Sequence, residues 1–181
     1  MDIGETLYVT DAKAWRSWLQ QHYETATEIW LVYYVKASGT PSIAYNDAVD
    51  EALCFGWIDS VVKKHGPESR AQRFTPRRPG SPVSPMNQER MRRMTEQNRM
   101  TPAGLAAGNV LDQPFVIPDD ILAALKADEQ TWANFHAFPE SYKRIRVGWI
   151  DGSRSRQDVF ETRLRYFLRM TAQNKRFGMI Q

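Results

Sequence analysis

The chain has 181 residues, is 42% hydrophobic, and carries a net charge of +3 with one cysteine. That is the composition of a soluble globular domain with enough apolar residues for a proper core. No apolar run reaches the length of a membrane span, and a lone cysteine excludes an intrachain disulfide.

In chain order, Leu7, Tyr8 and Val9 predict a short opening strand. Thr10 or Asp11 then caps a helix over 11–24 whose Trp15, Trp18, Leu19, His22 and Tyr23 recur at helical spacing. Residues 28–35 are β-branched, aromatic and apolar on both faces, as in an interior strand. After a loop, Ser42 is the expected cap for a helix over 43–55 that buries Tyr45, Ala48, Val49, Ala52 and Leu53. Gly56 stops this helix in a left-handed conformation, and strands 57–64 and 70–75 form a hairpin. In the first of them Trp57, Asp59 and Val61 share one side.

The proline-rich stretch Pro76–Pro85 reads as an ordered surface loop, the kind of segment that often carries function. Asn87 is expected to cap a helix over 88–99 that buries Met91 and Met94. A weak helix over 102–110 contains Gly104 and Gly108 and can approach another backbone closely. Pro114–Pro118 is extended. Helices follow from Asp119-Asp120, from Asp128-Glu129 and after Pro139, and a last long helix carries Phe160, Leu164, Phe167 and Leu168 on one stripe.

The expected fold is α+β: a small mixed or antiparallel sheet with covering helices, followed by an all-helical C-terminal segment. Residues 1–112 form the α+β core and residues 113–181 the helical part, packed on it as one compact unit. The opening MDIGETLYVTDAK has neither the basic start nor the apolar centre of a secretory signal, so a cytoplasmic location is expected.

Candidate ligand-binding residues are Tyr45, Glu51, Trp57, Asp59, Arg73, Arg77 and Asn87. If the helix packs over the hairpin, its acids face arginines able to fork a carboxylate or phosphate, with Trp57 as a wall and Asn87 orienting the anion. The bland alternative is that Glu51 or Asp59 pairs with Arg73 or Arg77 as a structural ion pair. No catalytic residue is assigned, although Asp59 or Glu51 as a general base in a hydrolase or transferase stands as one alternative.

His22, His65 and His136 are widely separated, so no metal site is expected, and no nucleotide or cofactor fingerprint is present. Cys54 reads as a buried inert thiol. Charge is blocked: 3 Lys/Arg against 9 Asp/Glu in residues 1–62, 10 against 3 in 63–99, 1 against 5 in 100–138, and 10 against 4 in 139–181. The basic blocks make nucleic-acid binding a second alternative, although self-neutralisation within the domain explains them as well.

Several motifs carry a family resemblance. The run Glu51-Ala52-Leu53-Cys54-Phe55-Gly56-Trp57-Ile58-Asp59, the run Arg73-Phe74-Thr75-Pro76-Arg77-Arg78, Ser84 and Asn87 with Arg90, and Arg99-Met100-Thr101-Pro102-Ala103-Gly104 resemble the YdeI/OmpD-associated, bacteriocin-protection family. So do Pro139, Tyr142 and Trp149-Ile150. The resemblance implies a bacterial cytoplasmic α+β protein with a helical C-terminal segment. It also implies a loose link to antimicrobial-peptide tolerance and to an outer-membrane porin, without an established reaction. The chain departs from the family pattern at Val83, where a tryptophan is usual and whose absence widens a pocket, and over 151–159, where a basic helix is usual. The reading is therefore a non-enzymatic stress or peptide-tolerance protein that binds a small anion or a protein partner.

Overall fold

The computed structural model describes residues 2–108 and 114–178. These divide into two compact units, 2–83 with 90–108, and 84–89 with 114–178. The architecture is α+β, with a mixed sheet in the first unit and helices alone in the second.

In the first unit, strand β1 (Thr6–Leu7) runs parallel to β2 (Ile29–Tyr34). Strands β3 (Trp57–Lys64) and β4 (Ser69–Pro76) make the expected hairpin, and β4 also pairs antiparallel with β2, giving the order β1-β2-β4-β3. Helices α1 (Ala12–His22) and α2 (Tyr45–Cys54) pack on each other and on one face of the sheet. There Trp15, Leu19, Leu53, Ile29, Leu31, Phe74 and Trp57 form a closed core. On the other face Trp30 is also fully buried, beneath the Lys63 ammonium and beside Glu28. The two-sided apolar character of β2 is thus explained.

Local rules decide the ends of elements. Asp11 caps α1 by accepting from the Ala14 N–H at 2.9 Å. Gly56 takes φ +74° and ends α2, as its position predicts. Ser42 does not cap α2: the helix starts after Ala44, and the Ser42 hydroxyl accepts instead from the Tyr34 N–H at 2.9 Å. A bulge between Asp59 and Val62 shifts the β3 register so that Val62, not Val61, stands opposite Gln72 on the face carrying Trp57 and Asp59.

Helix α3 (Pro85–Glu96) starts three residues earlier than expected. Its cap is Ser84, whose hydroxyl accepts from the Asn87 N–H at 3.3 Å, so Asn87 lies in the first turn. Helix α4 (Pro102–Gly108) docks through Gly104 onto the end of α2, with the Thr101 hydroxyl donating to the Cys54 carbonyl at 2.6 Å. Residues 109–110 of the expected helix lie outside the described residues.

The second unit packs α5 (Asp119–Lys126), α6 (Glu129–Ala137), α7 (Glu140–Asp151) and α8 (Gln157–Ala172) around Ile121, Leu125, Phe135, Tyr142, Ile150 and Phe167. Arg146 is buried among the rings of Tyr142, Trp149 and Phe177 and donates to the Phe177 carbonyl at 2.6 Å, which ties the chain after α8 onto α7. No helix among the described residues is long and apolar enough to cross a membrane.

Candidate functional site

The six candidate residues of the first unit do not meet in one pocket. Glu51, 3% exposed, lies on the buried side of α2, where Arg16 donates to one carboxylate oxygen at 2.7 Å and Arg99 donates to the other. Arg16 also stacks over Phe55 and donates to the Arg99 carbonyl at 2.9 Å. This cluster ties α1, α2 and the segment before α4 together. With both oxygens on guanidiniums, Glu51 is poorly placed to take a proton from a substrate. Next to it, Asp50 holds Arg90 at 2.7 Å as well as Arg93, and Arg90 reaches Asn46 at 2.6 Å.

Trp57 is a core residue, 1% exposed, with its indole N–H donating to the Tyr23 carbonyl at 3.2 Å. It cannot serve as the wall of an open site. Arg73 stands opposite Trp30 on the other face of the sheet and pairs with Glu28 at 2.8 Å, not with Glu51 or Asp59. Of the candidates, the structure brings together only Tyr45 and Asp59: the Tyr45 hydroxyl donates to Asp59 Oδ2 at 2.8 Å. Gln72, which sequence reasoning missed, donates to the same oxygen at 3.1 Å. Asn87 belongs to the second unit.

Arg77 differs from its neighbours. Among the described residues it is in no ion pair. Its Nη2 donates to the Ser81 and Pro82 carbonyls at 3.0 and 3.1 Å, and its Nε is buried with no partner. Desolvation without a compensating charge lowers its pKa, the signature of a cation lacking a counter-ion. Its loop is held by a turn closed from the Ser81 N–H to the Arg78 carbonyl at 3.1 Å, with Pro79 and Gly80 at its centre and Gly80 at φ +73°.

Arg77, the exposed Arg78, the turn through Val83 and the Ala106–Gly108 end of α4 line a cleft of about 590 Å³. That volume suits a small organic ligand. Val83 stands in this lining, at the position where the sequence departs from the family pattern. The cleft wall from α4 could not be read from local sequence, because Gly56 and Gly104 bring two segments far apart in the chain into contact.

Among the described residues no group of three His, Cys, Asp or Glu side chains is placed to hold a metal ion. Arg73, Arg90, Arg93, Arg99, Arg144 and Arg154, on which a nucleic-acid surface would draw, are paired with carboxylates. Cys54 is fully buried, and burial followed by the Glu51 charge pushes its thiol up to about 11. The folded protein should therefore resist iodoacetamide at pH 8 and react only when unfolded in urea. Because the unfolded thiol ionises near pH 8.5, stability should fall as pH rises from there towards about 11. Rapid native labelling at pH 8 would contradict this burial.

Residues 7–107 match the family described as a domain of unknown function (DUF8412). Residues 114–174 match the model described as "Bacteriocin-protection, YdeI or OmpD-Associated". The second match supports the family that the motifs resemble. It falls on the segment with Pro139, Tyr142 and Trp149-Ile150 and runs through the divergent 151–159, whereas the longer motifs lie in the region of the first match. No curated protein and no solved structure matches the chain.

Proposed function

This chain belongs to the family described as a domain of unknown function (DUF8412), and we propose that its first unit is a binding module for a small organic anion, held in the Arg77 cleft. The observation that carries the reading is the partly desolvated Arg77 guanidinium, which no carboxylate compensates among the described residues. Arg77 and Arg78 supply donors and charge, and the Val83 and Ala106–Gly108 walls accept an apolar body. The protective role named in the description matched over 114–174 is part of this proposal, exercised from the cytoplasm through ligand binding.

The test is calorimetric titration of the full chain with pyrophosphate and with citrate. The proposal expects binding of at least one, weakened about tenfold or more in Arg77→Gln. Because Arg77 also pins its own loop, Arg78→Gln provides a second variant: it leaves that pin intact and should weaken binding as well. The protective role has its own readout, since Arg77→Gln should fail to restore antimicrobial-peptide tolerance to a strain lacking the protein. Absence of binding at millimolar anion, or equal affinity in all three proteins, would overturn the reading.

A further inference from the structure

A second polar corner lies on the helix-covered side of the same sheet. Alternation along β2 puts Tyr33 on the face of Ile29 and Leu31, and the register sets it opposite Arg70 and diagonal to Gln72. Tyr33 is 5% exposed, and its hydroxyl is buried with no partner. A buried hydroxyl left unbonded is costly, so one standing in an otherwise apolar row calls for a partner. The charges of Asp59 and Arg70 both act on this hydroxyl, and burial, then Asp59, keep it protonated and able to donate.

The groups around it are complementary in sign. Asp59 accepts from Tyr45 and Gln72 through Oδ2, while Oδ1 has no hydrogen bond among the described residues. Arg70 is exposed, lies over the Tyr33 ring at 5.9 Å, and makes no ion pair among the described residues. Tyr45, 44% exposed, reaches the corner from the first turn of α2 with a hydrogen bond to Asp59. The corner thus offers one acceptor carboxylate, one guanidinium and one phenol donor between two aromatic rings, and the Asp59 and Arg70 charges cancel.

We infer that this corner is a recognition site for a small zwitterion of the α-amino acid class, with the ammonium on Asp59 and the carboxylate on Arg70 and the Tyr33 hydroxyl. Neither a simple anion nor a simple amine satisfies both charges. The site is separate from the Arg77 cleft, so either proposal can fail alone.

The experiment is an NMR titration of the ¹⁵N-labelled full chain with the common L-amino acids one at a time, following the Gln72 side-chain amide and the Tyr33 and Asp59 backbone signals. At least one amino acid should give saturable shifts, and its methyl ester and N-acetyl derivative should each bind at least tenfold more weakly. Tyr33→Phe, which removes only the hydroxyl, should weaken binding about tenfold, whereas Arg77→Gln should leave it unchanged. The inference is overturned if no amino acid saturates these signals, as when a trapped water alone completes the hydroxyl. It is also overturned if Tyr33→Phe binds as well as the parent, or if sorbitol competes as effectively as the amino acid.

Discussion

Trp57→Ala should lower the unfolding free energy of the first unit by about 4 kcal/mol in urea denaturation. Trp57 is 1% exposed and meets Trp18 edge-on at 5.9 Å, so truncation opens a large cavity under α1. It also removes the only described donor to the Tyr23 carbonyl, at 3.2 Å. Trp57→Phe keeps most of the volume and loses mainly that bond, so its cost should be nearer 1 kcal/mol. A loss below about 1 kcal/mol in the alanine variant would mean the indole is not part of the core and would reopen its role as a ligand wall.

Gly104→Ala should cost about 3 kcal/mol, against the usual trend in which alanine stabilises a helix interior. A Cβ at this position would lie 2.2 Å from the Cys54 carbonyl oxygen and 2.8 Å from that of Leu53. Both are backbone atoms at the end of α2, so no rotamer change relieves the clash, and α4 must move away. Since the end of α4 forms a wall of the Arg77 cleft, anion binding should weaken in the same variant. Ala103→Gly, on the same helix, should cost only about 1 kcal/mol through lost propensity. Equal stability of Gly104→Ala and the parent would show that α4 does not dock where described.

Backbone-coded features were legible in the sequence for local physical reasons. Gly56 ends α2 because only a residue without a Cβ takes φ +74° cheaply there, and the hairpin follows from the apolar alternation on either side of the Gly66-Pro67 turn. Gly104 was legible as a point of close approach, although not what it approaches. Capping was less legible: Ser42 and Asn87 are good capping types, but Ser42 bonds a strand N–H and Ser84 takes the cap of α3. The bulge at Asp59–Val62 has no glycine to announce it.

Pairing among charged residues was not legible at all. Glu51 meets Arg16 and Arg99, 35 and 48 residues away in sequence, and Arg73 meets Glu28, 45 residues away. Each of these acids had several arginines to choose from, and the choice depends on which sheet face and which helix side the chain presents. In the sequence Arg77 was one of several arginines expected to face the acids Glu51 and Asp59. What distinguishes it in the fold is that Glu51 and Asp59, the acids expected to face it, are engaged elsewhere, which only the three-dimensional arrangement reveals.

The most direct test of anion binding in the Arg77 cleft is anomalous diffraction from crystals of the full chain grown with selenate. A selenium peak is expected within hydrogen-bond distance of the Arg77 or Arg78 guanidinium, facing the Ala106–Gly108 wall, and should be lost in Arg77→Gln. Selenium bound only at other arginines or lysines, with the cleft empty in the parent protein, would contradict it and leave Arg77 as the pin of its own loop.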